Sequence, residues 1–271
     1  MNTKRILFYL VLGLTAFVML LPFIWTLYAS FVKQDLNVDT FSFDLAQYGI
    51  DNFVYIITQS HIADWYKNSV FVTGVITICN LLFNSMAGYA LARVRLPGKN
   101  IMFFFTLGIM MVPVQILLIP IFVMMAKMGW INTYFALIVP FMVNPFGVFL
   151  MRQFFVGFPS ELEEAAKMDG LSRIAIFFRI ALPLAKPALI AQAIFIFVWN
   201  WNSFPFPSIL ATEPDMFTLP VGIYQITNTA YTSSITKSMA GVVLMTIPTL
   251  IFFMVFQKHF MKSSINTGVK G

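Results

Sequence analysis

The side chains equipped for chemistry crowd between positions 160 and 183, SELEEAAKMDGLSRIAIFFRIALP, where Glu161, Glu163, Glu164, Lys167, Asp169, Arg173 and Arg179 interrupt an otherwise apolar chain. No histidine or cysteine stands among them, so the chemistry open to the set is charge pairing and helix capping. Ser160 with Glu163 three residues on predicts a capping box, and the early carboxylates suit the positive end of a helix dipole. Gly170 predicts a left-handed stop, which makes a first helix of roughly three turns. Leu162, Ala165, Ala166 and Asp169 recur at helical spacing as a narrow small-residue face able to enter a groove. A second helix from Ser172 to about Ala181 would turn Ile174, Phe177, Phe178 and Ala181 toward lipid or the chain's own bundle. Arg173 and Arg179 would stay in the polar interface, and Pro183 and Pro187 would re-aim the chain.

Nothing elsewhere assembles a catalytic set. The only two histidines, His61 and His259, fall on opposite sides of the membrane in the topology proposed below, and the spans hold no paired carboxylates. Cys79 is the single cysteine, which excludes an internal disulfide and leaves a thiol without metal-ligand companions. No Gly-x-x-x-x-Gly-Lys-Ser/Thr loop is present to cradle ATP phosphates. An enzyme is therefore not expected, and neither a catalytic residue nor a metal ligand is assigned.

The elements that must hold the insert follow from composition. With 59% hydrophobic and 10% charged residues, against about 25% charged in soluble domains, the chain belongs in a bilayer. Uncharged runs at 7–31, 68–92, 100–126, 128–151, 187–212 and 238–257 each meet the roughly 20 residues a spanning helix needs. The fold class predicted is all-α integral membrane, with six transmembrane helices, both termini cytoplasmic and a single domain over 1–271. The charged insert, 158–186, then falls between spans four and five. In that topology Lys4, Arg5, Arg93, Arg95, Lys99, Arg152, Lys167, Arg173, Arg179, Lys186, Lys258, Lys262 and Lys270 lie inside, and only Lys33, Lys67, Lys127 and Lys237 outside. The positive-inside rule thus accounts for the net charge of +6 without nucleic acid. Asp35, Asp39, Asp44, Asp51, Asp64, Glu213 and Asp215 make the outer loops acidic.

A seventh uncharged stretch, 216–236, carries Thr218, Gln225, Thr227, Asn228, Thr229, Thr232, Ser233 and Ser234, too polar for lipid, and reads as an external loop or surface-lying segment. The first run is longer than the apolar centre of a cleavable signal and ends in Trp25 and Tyr28, so it reads as a retained span. Pro113 and Pro120 predict a kinked third span, and the short turn 127–133 makes spans three and four antiparallel neighbours.

Polar groups inside spans usually face a cavity or another helix. Asn80, Asn84, Ser85, Gln115, Asn144, Gln192, Asn200 and Asn202 are the candidates, and Trp199 and Trp201 could present flat faces to a solute or anchor in an interfacial belt. Gln115, Asn144, Asn200 and Asn202 are the residues singled out as lining a path, beside the ordinary alternative of helix-to-helix hydrogen bonds.

Glu164-Ala165-Ala166, Gly170 and Ile180-Ala181-Leu182-Pro183, in that order between two spans, resemble the cytoplasmic EAA loop of binding-protein-dependent ATP-binding cassette importers. Ala87-Gly88-Tyr89-Ala90-Leu91-Ala92-Arg93, Met111-Val112-Pro113-Val114-Gln115, Ile131-Asn132-Thr133-Tyr134, Phe149-Leu150-Met151-Arg152-Gln153-Phe154-Phe155, Trp199-Asn200-Trp201-Asn202 and the terminal Gly268-Val269-Lys270-Gly271 extend the resemblance along nearly the whole chain. Together they are most similar to the smaller, six-span permease subunit of the maltose-type, carbohydrate-uptake branch.

The resemblance implies a heteromeric importer in a prokaryotic cytoplasmic membrane: this chain beside a second permease, two cytoplasmic ATPase subunits and an extracytoplasmic solute-binding protein. It gives Ser160, Glu163, Glu164, Ala165, Ala166, Asp169, Gly170 and Pro183 the role of gripping an ATPase. ATP and Mg would be bound by those partners and no cofactor by this chain, and the tail 262–271 could reach the ATPase interface. The alternatives are the same importer type for another solute, such as a glycerol phosphate or an amino acid, and an ion-coupled secondary transporter. The last would ordinarily show ionisable residues inside its spans, and here there are none.

Overall fold

Long apolar runs with no two-residue alternation favour helices, and in lipid a helix satisfies its own backbone groups. A computed structural model bears this out for the described residues, 3–34, 44–228 and 234–267, which are helical apart from turns and one isolated antiparallel bridge between Val32 and Tyr48. In chain order the helices are α1 Thr3–Phe31, α2 Asp51–Gln59, α3 Ile62–Arg93, α4 Lys99–Met110, α5 Leu118–Lys127, α6 Tyr134–Ile138 and α7 Pro145–Val156. Then come α8 Ser160–Met168, α9 Arg173–Ile176, α10 Leu182–Leu184, α11 Lys186–Trp201, α12 Pro205–Leu210, α13 Leu219–Thr227 and α14 Ile235–Thr267. Asp35, Asp39, Thr229, Thr232, Ser233 and Gly268-Val269-Lys270-Gly271 lie outside the described residues, as do the α14 side chains beyond Val255.

Among the described residues four helices are long and apolar enough to cross a membrane: Lys4–Phe31, Ile62–Arg93, Tyr134–Val156 and Ile235–Val255. Two sharply bent pairs, Lys99–Met110 with Val114–Lys127 at 91° and Arg173–Leu184 with Lys186–Trp201 at 76°, raise the number to six if each is one span. The run 100–126 is thus a break and not the kink that its prolines predict. Pro113 stands in extended backbone (ψ 123°) between α4 and a 3-10 turn at Val114–Leu117. Pro120, by contrast, is the third residue of α5, where its missing N–H has no intrahelical acceptor to lose, so it interrupts nothing. After α5, Gly129 (φ 68°) and Asn132 (φ 62°) turn the chain, and helix resumes at Tyr134, not at 128. The run 187–212 also breaks: α11 stops at Trp201 and α12 starts on Pro205.

The chain divides into two compact units, Met1–Ile62 with Leu219–Pro248, and Ala63–Thr218 with Thr249–Gly271. In the first, α1 is exposed along nearly its whole length, as a helix meant for lipid or a neighbour must be. Asn52 ties α2 to its end, donating to the carbonyls of Ser30 (3.0 Å) and Val32 (2.8 Å). Where it is described, the stretch 216–236 is not an open loop. It holds α13, whose Leu219, Val221, Ile223 and Thr227 are buried, with Ile223 packed so tightly on Gly241 that a methyl there would meet its Cγ2 at 2.3 Å. Thr227 spends its hydroxyl on the Ile223 carbonyl (2.8 Å), which is how a polar residue becomes tolerable in a packed helix.

In the second unit, α3 and α7 cross at Gly88, where a Cβ would stand 2.7 Å from both the Arg152 nitrogen and the Met151 Cβ. Around that crossing Tyr89, Met151, Phe155, Phe177, Ala181 and Ala185 form one buried cluster. At the other end of α3, Asn68 donates to the carbonyls of Asp215 (2.7 Å) and Phe217 (3.0 Å) and accepts from the Tyr134 hydroxyl (2.6 Å), while the Trp65 indole donates to Pro214 (2.8 Å). Asn132, in the left-handed conformation that asparagine tolerates, completes this clasp by accepting from the Thr212 and Glu213 amides at 3.1 and 3.0 Å.

Candidate functional site

The charged insert folds as two helices about Gly170, as its sequence predicts, but with different caps. α8 begins at Ser160 itself, with Pro159 in the N-cap position and no side-chain cap. The capping box is absent: Ser160 is the first helical residue and not the N-cap, and Glu163 is engaged elsewhere. Its Oε1 accepts from Arg93 Nε at 3.0 Å. Ser172 is the serine that does cap, accepting from the Ala175 amide at 3.2 Å.

At the other end of α8 the Gly170 amide donates to Lys167 and the Leu171 amide to Ala166, both at 3.0 Å, with Gly170 at φ 80°. This pair of bonds is a Schellman closure, which satisfies carbonyls that a helix end otherwise leaves open. The second helix runs from α9 through a π turn at Phe177–Ala181 into α10, where Pro183 sits in the first turn.

Burial sorts the residues of α8. Glu163 and Ala166, three apart, face inward, whereas Leu162, Glu164, Ala165, Met168 and Asp169 are exposed. Ala166 therefore belongs to the internal face and not, as its spacing suggests, to the outward small-residue stripe. In the second helix Ile176, Phe177 and Ala181 turn inward, and Ile174 and Phe178 stay exposed. The Phe177 ring packs 5.2 Å from Tyr89 of α3 and 6.5 Å from Phe155 of α7. Arg93, absent from the residues singled out by sequence, is the anchor that reasoning missed. Its only signal was its place at the end of the Gly88-Tyr89-Ala90-Leu91-Ala92-Arg93 run.

The amides within the helices separate into two groups. Asn80 donates to the Ile76 (2.9 Å) and Phe141 (2.7 Å) carbonyls and accepts from Asn84 and Asn144, each at 3.0 Å. Asn144 also caps α7 through the Gly147 amide (2.6 Å). Asn144 thus bonds helix to helix and lines neither of the two cavities around Trp199. Gln192 is buried beside this network, against Gly147, with neither amide atom hydrogen-bonded among the described residues.

Gln115 and Asn202, by contrast, line a cavity of about 530 Å³ with Phe195, Val198, Trp199 and Ser203. Asn200 lines a smaller one of about 50 Å³, of which Trp199 and Ser203 also form part. Asn200 and Asn202 each donate to the carbonyl four residues back at 2.8 Å, which directs their carbonyl oxygens away from the helix. Trp199 is 69% exposed and Trp201 only 1%. Trp201 stacks on Phe197 (5.7 Å, 10°), so only Trp199 has a ring face to offer. A mostly apolar wall with a few convergent amide and hydroxyl groups is the usual make-up of a small-molecule site.

Residues 80–264 match the profile of the binding-protein-dependent transport system inner membrane component family. The chain belongs to that family. As a binding-protein-dependent inner membrane component it is 40% identical over 260 residues to the arabinooligosaccharides transport system permease protein AraQ of Halalkalibacterium halodurans, covering 94% of this chain and 93% of the relative. It is 31% identical over 274 residues to the trehalose/maltose transport system permease protein MalG of Thermococcus litoralis, covering 99% and 98%. Its fold matches a chain from the crystal structure of a bacterial ABC transporter involved in the import of the acidic polysaccharide alginate, with a TM-score of 0.80, 25% identity and coverage of 95% and 96%. This inner membrane component is thereby a multi-pass helical protein of the permease type.

Proposed function

We propose that this chain is one of two permease subunits in a sugar or oligosaccharide importer, moving solute inward by alternating access under the drive of separate ATPase subunits. In this reading α4 with α5 counts as one of six spans and α11 as another, both termini are cytoplasmic, and a solute-binding protein delivers the cargo from outside. ATP and Mg are held by the ATPase partners. The observation that carries the reading is α8: a rod closed at its C-terminal end by Gly170, tied to the membrane helices through Glu163 and presenting Leu162, Glu164, Ala165, Met168 and Asp169 outward. An exposed helix face of mixed small, apolar and acidic groups suits a groove on a partner. The carbohydrate part rests on the sugar-named relatives and on Trp199, Gln115 and Asn202 around the larger cavity.

Closure of the ATPase dimer on ATP would move α8, and the helices fixed to it would exchange inward-open for outward-open arrangements. The test is reconstitution with both ATPases, the second permease and the binding protein, followed by ATP-dependent uptake of arabino- and malto-oligosaccharides. Glu164→Lys and Gly170→Pro are expected to insert normally and lose uptake. Full accumulation in either variant refutes the coupling role of α8.

A further inference from the structure

Glu163 and Arg93 meet across 70 positions of sequence. Arg93 is the last residue of α3, and its guanidinium serves both sides of the entry to α8: Nε donates to Glu163 Oε1 at 3.0 Å and Nη2 donates to the Phe158 carbonyl. The same group lies 5.8 Å from the centroid of the Phe158 ring. Both charged side chains are shielded, at 17% and 9% exposure. Tyr89, four residues earlier and so on the same side of α3, packs on Phe177 of the second half of the insert. One face of one spanning helix therefore holds both halves.

The geometry matters because α8 is bounded by places where the chain turns. Gly157 and Pro159 lie ahead of it and Gly170 behind. Inside those bounds its inward face is Glu163 and Ala166, and a methyl group fixes no orientation. A shielded ion pair is weak evidence for stability, since apolar residues of equal size often do as well. What a planar guanidinium adds is direction, because its fork sets angle as well as distance.

We infer that Arg93 and Glu163 form a positioning latch that makes α8 and α3 move as one body, so that force on the outer face of α8 turns α3 and is not lost at Gly170. The latch rests on the reading of α8 as the ATPase contact. The ATPase touches other residues, and Arg93 acts through the rod they belong to.

The test uses the complete complex in liposomes and reads sugar moved per ATP hydrolysed. Glu163→Gln keeps the shape of the acceptor without its charge, and Arg93→Lys keeps the charge without the fork. Each is expected to lower the ratio by about five-fold or more, the low end of ordinary coupling strengths. The exchange Arg93→Glu with Glu163→Arg is expected to recover most of it. A purely structural role would change the yield of complex and leave the ratio per complex untouched.

A wild-type ratio in both single variants overturns the latch. Should one fail to assemble, spin labels at Met168 and Met86, both exposed, in a Cys79→Ala background report on the isolated subunit. A narrow distance distribution in the parent and a broad one in the variants is expected, and equal widths overturn the latch as well. Absence of ATP-driven uptake in the parent complex is a separate result, which removes the importer reading.

Discussion

Gly88→Ala adds one methyl group at the point where α3 crosses α7. The new Cβ would stand 2.7 Å from the Arg152 backbone nitrogen, 2.7 Å from the Met151 Cβ and 2.9 Å from the Met151 carbonyl carbon, where non-bonded carbons prefer about 3.5–4.0 Å. Two of those three atoms are backbone, so no rotamer change relieves the clash and the helices must part by roughly 1 Å. Overpacking of this kind costs about 1–3 kcal/mol, and rigid neighbours put it at the upper end. At roughly 2–4 °C per kcal/mol for chains of this size, the melting point should fall by about 6–12 °C.

Gly74→Ala, in the same helix, is the matched control: among the described residues nothing beyond the local helix backbone lies within 4 Å of its Cβ position, and alanine is the better helix former by about 0.5–1 kcal/mol. The assay is the fraction of detergent-solubilised protein that stays monodisperse after heating. A Gly88→Ala melting point at or above that of Gly74→Ala would show that α3 and α7 do not touch as described. Because Tyr89, Met151 and Phe155 meet the insert at this crossing, Gly88→Ala should also lower uptake per complex.

Two further pairs follow from the same geometry. Ser160 makes no capping bond and Ser172 makes one, so Ser172→Ala should cost about 1 kcal/mol and Ser160→Ala less than about 0.5 kcal/mol, read by hydrogen exchange of the amides at 162–163 and 174–175. The reverse order would restore the capping box. Trp201→Ala empties a buried, stacked position and should destabilise by about 3–5 kcal/mol. Trp199→Ala should leave the melting point nearly unchanged and depress sugar uptake, and equal behaviour of the two tryptophans in both assays would remove Trp199 from the path.

Much of the insert was legible because its signals are local. A glycine forced to φ 80° ends a helix wherever it occurs, and the Gly170 amide and its neighbour close on carbonyls only three and five residues back. Ser160 misled for a related reason. A capping box competes with any other partner for its glutamate, and the Arg93 charge outbids a backbone amide. Trp199 and Trp201 were inseparable in sequence because residues two apart on a helix point about 200° from each other. Which one meets the cavity is decided by the neighbours of α11. Pro113 and Pro120 read alike, yet one opens the chain and the other sits harmlessly in a first turn, which depends on where α5 starts.

Composition alone settled the solvent: a chain with so few charges and such long apolar runs can satisfy its backbone in lipid only as helices, and the order of its motifs placed it among permeases. The packing decided which side of each helix faces inward, sent Ala166 and Glu163 to the interior, committed Asn144 to other helices and brought Arg93 onto Glu163. Capping, turn and hydropathy signals act over a few residues and are written in neighbouring letters. A contact between positions 93 and 163 exists only once the α3–α7 crossing has brought distant stretches together.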